Sequence, residues 1–135
     1  MRVLIIDDSR ANRMVLQRIL QGFGFETVEA ENGGDAIWLL RKDTNIQLIT
    51  VDYHMPQMTG VQFVRLVREK PEFAKIPILM ISVERRPEVQ AEALASGVNE
   101  FLMKPFSKEM VEEKLMLMGV DLKAGPNQPP AAAQG

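Results

Sequence analysis

Cysteine is missing from this 135-residue chain, and histidine occurs once, as His54. The lack of cysteine excludes disulfides and thiolate metal sites, and a single histidine excludes a histidine cluster. A metal site in this protein therefore needs oxygen ligands, which favour a hard divalent cation such as Mg²⁺. The absence of cysteine also fits a reducing compartment.

The sequence also lacks a strong charge imbalance and a long apolar run. Its formal net charge is −2, and no stripe of Lys and Arg could neutralise several phosphates together, so nucleic acid is not an expected partner. The apolar segment at residues 1–6 ends at two aspartates and is too short for the core of a signal peptide. We therefore expect a cytoplasmic location and no membrane partner.

What the sequence does contain is an alternation of two apolar patterns. Short runs rich in Val, Ile and Leu alternate with segments in which apolar residues recur every three or four positions, which predicts alternating strands and helices. Several runs are apolar at consecutive positions, as expected of parallel strands covered by helices on both faces. The predicted strands are residues 3–6, 27–30, 47–51, 78–81 and 100–103.

A helix with an apolar face is predicted after each strand. Asn32, Thr59 with Gln62, and Ser107 are predicted caps of the second, third and fifth helices. The residues predicted to face the core include Ala11, Met14, Val15, Ile19 and Phe23 in the first helix, Val61, Phe63, Val64 and Val67 in the third, Val89, Ala93 and Leu94 in the fourth, and Met110, Val111, Leu115 and Met118 in the fifth. This order predicts a doubly wound α/β domain, a (βα)5 three-layer sandwich with a five-stranded parallel sheet in the middle.

The periodic pattern ends near residue 119. We predict one domain over residues 1–120 and a flexible tail rich in Pro, Ala and Gly over residues 121–135.

Reactive side chains follow four of the predicted strands: Asp7 and Asp8 the first, Asp52 the third, Ser82 the fourth and Lys104 the fifth. The carboxyl ends of parallel strands meet at one edge of a sheet, so these side chains are expected to converge. Three carboxylates together need positive charge, which Lys104 and Mg²⁺ would supply. A carboxylate nucleophile, a cation, an ammonium and a hydroxyl are the groups that phosphoryl transfer requires.

Each of these residues has an ordinary structural explanation when taken alone. Asp7 and Asp8 could cap a helix, Asp52 could stabilise a turn, and Lys104 could be a solvated charge. Their joint placement at four strand ends favours a phospho-acceptor site.

With these motifs the chain resembles a two-component response-regulator receiver domain of the stand-alone, chemotaxis-regulator type, over residues 1 to about 120. The resemblance rests on Val3-Leu-Ile-Ile-Asp-Asp-Ser9, on Val51-Asp-Tyr-His-Met-Pro-Gln-Met-Thr-Gly60, on Ile81-Ser82 and on Lys104-Pro-Phe106. It implies a flavodoxin-like sheet with strand order 2-1-3-4-5. A cis Lys104–Pro105 bond is a further expectation, since X–Pro bonds reach the cis form at low cost.

The resemblance implies a role for each site residue. Asp52 would accept a phosphoryl group from a phosphohistidine on a sensor histidine kinase or phosphotransfer protein. The implied Mg²⁺ ligands are Asp7, Asp8, Asp52 and the main-chain carbonyl of His54. Lys104 and Ser82 would bind phosphoryl oxygens, Ser82 and Phe101 would act as the switch, and His54 and Glu84 would set the lifetime of the phosphorylated state.

The phosphorylated protein is then expected to bind a target protein through the face formed by helix 4, strand 5 and helix 5, with chemotaxis or motility control as one role. It would catalyse only its own phosphorylation and dephosphorylation and would not otherwise be an enzyme. Two alternatives stay open: a phosphorelay intermediate or phosphate sink, and a hydrolase of small phosphate esters.

Overall fold

Five parallel strands form a single sheet in the order β2-β1-β3-β4-β5. The structure is a computed structural model that describes residues 1–122. Its strands are β1 (Arg2–Ile6), β2 (Glu26–Ala30), β3 (Ile46–Val51), β4 (Ile78–Ser82) and β5 (Glu100–Met103). All neighbouring strands pair in parallel, and the predicted fold class and strand order are confirmed. The predicted tail lies outside the described residues from residue 123 onward.

Helices connect the strands and cover both faces of the sheet. They are α1 (Arg10–Gly22), α2 (Gly33–Lys42), α3 (Gly60–Glu69), α4 (Pro87–Ser96) and α5 (Lys108–Leu117), with a 3₁₀ turn at Pro71–Phe73. One face packs against α2, α3 and α4, and its buried core includes Leu4, Ile6, Ala36, Leu40, Ile49, Val51, Phe63, Val64, Ile78, Met80 and Ala93. The other face packs against α1 and α5, and its core includes Val3, Ile5, Leu16, Leu20, Leu48, Leu79, Ile81, Leu102, Val111 and Leu115.

Local sequence signals explain where several helices begin. The side chains of Asn32 and Ser107 accept hydrogen bonds from backbone N–H groups of the first turns of α2 and α5. Thr59 and Gln62 form the predicted capping box at α3, in which each side chain accepts from the other residue's backbone N–H. These three cap predictions are confirmed. The Lys104–Pro105 peptide bond is cis.

The predicted apolar face of α1 is partly wrong. Met14 is 40% exposed and Val15 is 52% exposed, while Leu16 and Leu20 are buried. A helix turns by about 100° per residue, so the stripe that contains Leu16 and Leu20 points away from Met14 and Val15. Ala11 is also exposed.

Two further predicted core residues lie at the surface. Leu94 of α4 is 51% exposed and Met110 of α5 is 41% exposed, whereas Ala93 and Val111, their chain neighbours, are fully buried. A one-residue rotation separates each exposed residue from the buried stripe. Both exposed side chains belong to helices that flank β5, the edge strand of the sheet.

Candidate functional site

The sheet reverses its strand order between β1 and β3, and the candidate site lies at the carboxyl ends of these strands. Ligands bind at this position in open parallel sheets because the connections leave the sheet in opposite directions there. The main chain extends the sheet just past both strands, since Asp7 N–H donates to the Ala30 carbonyl at 3.2 Å and Asp52 N–H donates to the Ile6 carbonyl at 3.0 Å. Both aspartates are therefore held by backbone hydrogen bonds.

Three carboxylates converge in this crevice. Asp7, Asp8 and Asp52 each offer an oxygen, and these three oxygens lie within 4.8 Å of one another. Asp7 is 7% exposed and Asp52 is 8% exposed, whereas Asp8 faces solvent. The predicted convergence of the acidic residues from β1 and β3 is present in the structure.

Lys104 bridges two of these carboxylates. Its Nζ lies 2.8 Å from Asp7 Oδ2 and 2.9 Å from Asp52 Oδ2. Its backbone N–H donates to the Ser82 carbonyl at 2.9 Å, which fixes the start of the lysine side chain at the end of β4. Residues 7, 52 and 104, far apart in the chain, thus form one charged cluster.

The pKa values of Asp7 and Lys104 are both raised by their surroundings. Burial raises the pKa of Asp7, and the hydrogen bonds from Lys104 and from the Ser9 N–H only partly offset that effect. Burial lowers the pKa of Lys104, but hydrogen bonds and Coulomb attraction to Asp7 and Asp52 outweigh it, so the pKa rises overall. A second cation would stabilise the ionised form of Asp7.

The donor atoms of the cluster fit a hard divalent cation. Each of the three converging ligand atoms is a carboxylate oxygen, and one carboxylate is open to solvent, which leaves room for water ligands. Mg²⁺ binds in this way, through one or two carboxylates plus water and phosphate oxygens. The main-chain carbonyl of His54 stays a prediction as a further ligand.

Ser82, the predicted hydroxyl donor, ends β4 and is fully buried. Its Oγ accepts a hydrogen bond from the Glu84 N–H at 3.3 Å. The backbone link to Lys104 places it beside the charged cluster.

His54 and Glu84 meet across the site. His54 Nε2 lies 3.1 Å from Glu84 Oε2, which joins the loop after β3 to the loop after β4. The His54 N–H also donates to Asp52 Oδ1 at 3.1 Å. The two residues predicted to set the lifetime of the phosphorylated state are thus in direct contact.

Phe101, the predicted aromatic switch, lies in β5 opposite Met80 of β4. It is half-buried and packs against the core beneath α2, α3 and α4. Its role in switching stays a prediction.

Two further residues, Arg13 and Gly60, shape the site and were not predicted from the sequence. Arg13 donates to the main-chain carbonyl of Asp7 and, through Nε, to Glu29 at 3.1 Å, so it holds the acidic turn after β1. Gly60 lies so close to the Asp52 carbonyl and Met80 that an added Cβ would overlap both. Neither feature has a sequence signal beyond the position of Gly60 at the start of α3.

An open groove with apolar walls lies beside Lys104. It is formed by α1, by the residue after β4 and by the residues after Lys104, namely Asn12, Val15, Val83, Lys104, Pro105 and Phe106. Val15 and Val83 are both more than half exposed. The exposed side of α1, which the apolar pattern assigned to the core, therefore contributes an apolar wall next to the site.

Comparison with known proteins identifies the family. Residues 3–116 match the response regulator receiver domain. The chain is 36% identical over 116 residues to the chemotaxis protein CheY1 of Helicobacter pylori, a match that covers 85% of this chain and 94% of that protein. It is 34% identical over 116 residues to a chemotaxis protein CheY homolog of Campylobacter jejuni, covering 85% and 89% of the two chains.

This chain belongs to the response regulator receiver domain family.

A solved structure agrees with this assignment. The chemotaxis protein CheY4 of Vibrio cholerae superposes on this receiver domain with a TM-score of 0.80 and 36% identity, covering 85% of this chain and 95% of that one. Within residues 1–122, no helix combines the length and apolar character needed to cross a membrane.

Proposed function

We propose that this receiver domain is a phosphorylation-activated switch of a cytoplasmic two-component system, in which Asp52 accepts a phosphoryl group from a phosphohistidine on a sensor histidine kinase or phosphotransfer protein. One observation carries the proposal: Lys104 Nζ contacts Asp7 at 2.8 Å and Asp52 at 2.9 Å in an acidic crevice at the switch point of the sheet. Such a crevice joins a buried carboxylate to the charges that phosphoryl transfer needs.

In the proposed reaction a carboxylate oxygen of Asp52 attacks the phosphorus of the donor. The new O–P bond forms as the N–P bond breaks, and the electron pair of that bond returns to the donor imidazole. The ammonium of Lys104 is already within hydrogen-bonding distance of Asp52, so it can follow the negative charge onto a phosphoryl oxygen while it keeps its contact with Asp7.

Asp7, Asp8, Asp52 and the main-chain carbonyl of His54 would hold Mg²⁺, which when bound supplies neutralising charge for the phosphoryl oxygens. Asp8 is the solvent-exposed member of this set. Its exposure leaves one side of the crevice open for the incoming donor.

The open groove beside Lys104 supports a protein as the phosphoryl donor. The edge of the crevice has apolar surface from Val15, Val83 and Phe106. A small anionic substrate would not need these apolar contacts. A phosphohistidine-bearing helix or loop could bury this surface while it presents its phosphoryl group to Asp52.

Ser82 is the residue proposed to sense the new phosphoryl group. Its buried Oγ would turn from the Glu84 N–H toward a phosphoryl oxygen, which frees the loop after β4 to move. Phe101 lies on the neighbouring strand and would fill space vacated by that movement. The change would then reach the surface of α4, β5 and α5.

That surface carries exposed apolar side chains suited to a target protein. Leu94, Met103 and Met110 are 51%, 37% and 41% exposed, and exposed methionines form adaptable contacts. Since the relatives described above are chemotaxis proteins, a target in chemotaxis or motility control is the proposed output.

A test of phosphorylation should use acetyl phosphate with Mg²⁺ and intact-mass detection. Wild type is expected to gain one phosphoryl adduct, Asp52→Asn none, and Asp35→Asn, a change at an exposed aspartate of α2, the same adduct as wild type. An adduct that persists in Asp52→Asn would contradict the assignment of the acceptor.

Two further measurements separate the alternatives. Sustained turnover of a generic phosphate ester would favour the hydrolase over the switch. Transfer of the phosphoryl group from the labelled protein to a histidine phosphotransfer domain would favour a phosphorelay intermediate.

The residues proposed to set the phosphate lifetime need a separate assay. His54→Asn and Glu84→Ala are expected to change the rate of autodephosphorylation, because the contact between them borders the crevice. Unchanged rates in both variants would reject this role.

A further inference from the structure

Glu84 is an unusual carboxylate for its position beside an acidic site. It is 7% exposed, its backbone N–H bonds to the Ser82 hydroxyl, and its carboxylate contacts His54. His54 in turn donates its N–H to Asp52. The negative charge of Glu84 is therefore linked to the phospho-acceptor Asp52 through a single residue, His54.

Arg86 balances that charge from outside. Its Nε lies 2.8 Å from Glu84 Oε1 and its Nη2 lies 2.9 Å from Glu84 Oε2, which is a forked pairing of guanidinium and carboxylate. The Arg86 N–H donates to the same carboxylate at 3.1 Å. These three hydrogen bonds from Arg86 stabilise the ionised form of the Glu84 carboxylate.

The surrounding contacts hold this pair in one place. The Glu84 carbonyl accepts from Gln90 Nε2 of α4 at 3.3 Å, and the same Nε2 lies 3.5 Å from Met103 Sδ of β5. The neighbouring arginine, Arg85, reaches the Lys104 carbonyl at 3.5 Å instead. The charge of Glu84 is thus matched by one specific arginine on a loop that is anchored at several points.

We propose that Arg86 is a positioning residue for phosphorylation, which neutralises Glu84 and holds its carboxylate away from the incoming phosphoryl anion. This inference rests on the proposed function of Asp52. Arg86 itself is more than half exposed and needs no contact with the phosphoryl group. Its effect is exerted through Glu84.

An electrostatic role of this kind has a signature that a packing role lacks. Loss of Arg86 leaves one additional unpaired negative charge near the crevice, which attracts Mg²⁺ and repels an anionic phosphoryl donor. The affinity for Mg²⁺ should therefore rise while the rate constant for phosphorylation falls. A variant that only disturbed the packing of the loop would weaken both.

The experiment measures the Mg²⁺ dissociation constant by calorimetry and the rate constant for phosphorylation by acetyl phosphate at saturating Mg²⁺. In Arg86→Gln we expect roughly threefold tighter Mg²⁺ binding and a roughly threefold to tenfold slower reaction, the scale of one charge acting through partly screened space. Glu84→Gln should shift both quantities the other way. The double variant should return close to wild type, because it removes one charge of each sign and leaves the net charge beside the crevice unchanged.

Arg65→Gln is the matched control, since Arg65 pairs with Glu92 at 3.5 Å on the exposed surface of α3 and α4. It should leave both quantities unchanged. The inference is overturned if Arg86→Gln changes both quantities in the same direction, if it changes neither, or if the double variant reacts as slowly as Arg86→Gln alone. Wild type that takes no phosphoryl group would instead contradict the proposed function, and the Mg²⁺ titrations would still decide the charge balance.

Discussion

Removal of the Lys104 ammonium should destabilise the metal-free protein and make its stability strongly dependent on Mg²⁺. The substitution Lys104→Met keeps a long unbranched side chain in place of the lysine. It leaves Asp7 and Asp52 with the N–H groups of Ser9 and His54 but without the cation that contacts both of them. The exposed fractions of the three side chains are 13% for the lysine and 10% for each aspartate, so water only partly replaces the lost partner.

The size of the effect follows from that burial. Breaking a buried ion pair by removing one partner costs about 3–5 kcal/mol, and residual exposure places this site at the lower end, at about 3 kcal/mol. For a domain of this size such a loss lowers the melting temperature by roughly 10 °C. Mg²⁺ at about 100 times its dissociation constant stabilises a folded protein by about 2.7 kcal/mol. The ion should bind the variant more tightly than wild type, because no ammonium competes for the same carboxylates.

Urea unfolding with and without Mg²⁺ tests both parts of this prediction. Without metal, the free energy of unfolding of Lys104→Met should lie about 3 kcal/mol below that of wild type, and saturating Mg²⁺ should remove at least half of this difference. Lys114→Met is the control, since Lys114 pairs with Glu100 at 3.4 Å with about a third of each side chain exposed. Lys114→Met should lower the free energy of unfolding by under about 1 kcal/mol, both with and without Mg²⁺. A loss below about 1 kcal/mol for Lys104→Met, or a loss that Mg²⁺ does not reduce, would refute the charge balance described here.

Three other outcomes are expected. Asp52→Asn should raise the free energy of unfolding of the metal-free protein, measured in urea, by about 1 kcal/mol, because it removes a carboxylate that repels Asp7. Mg²⁺ should stabilise this variant less than it stabilises wild type. A metal-free variant that is less stable than wild type would contradict this prediction. The hydrogen bonds from Arg86 lower the pKa of Glu84 from 4.5 to about 2. Ionised Glu84 therefore contributes stability that is fully present above pH 4.5 and is lost as the pH falls through about 2. In urea unfolding, the difference in free energy of unfolding between wild type and Glu84→Gln should vanish over that interval. Arg68 donates hydrogen bonds to the carbonyls of Phe73, Ala74 and Gly97. Arg68→Lys should therefore lower the free energy of unfolding by about 2 kcal/mol. The control Arg65→Lys, at the surface, should lower it by under about 0.5 kcal/mol.

The charged cluster was predictable because of where its members stand along the chain. Asp7, Asp52 and Lys104 each follow an apolar run, and parallel strands bring their carboxyl ends to one edge of the sheet. The repulsion among the converging carboxylates also predicted a positively charged partner for them. The apolar faces of the helices were harder to assign, because several positions of each helix are apolar and a single residue of rotation exchanges core for surface, as at Leu94 and Ala93.

The contacts of Arg13 and Arg86 had no counterpart in the sequence argument. Arg13 reaches back to the carbonyl of Asp7 and across to Glu29 on β2, which depends on how α1 lies over the sheet. Arg86 pairs with Glu84 only two residues away, but the importance of the pair comes from His54 in another loop. An arginine beside a glutamate in a loop predicts no more than a solvated pair.

Local patterns along the chain were enough to predict the alternation of strands and helices, the receiver family and the residues at the strand ends. These features depend on local periodicity and on residue types at particular positions. The three-dimensional structure was needed to show that Lys104 contacts two aspartates at once and that Met14 and Val15 are exposed. It was also needed to show that Arg86 and His54 both contact Glu84. Those features depend on distances between side chains from separate elements. Such distances are set by the packing of the whole domain, which no local pattern records.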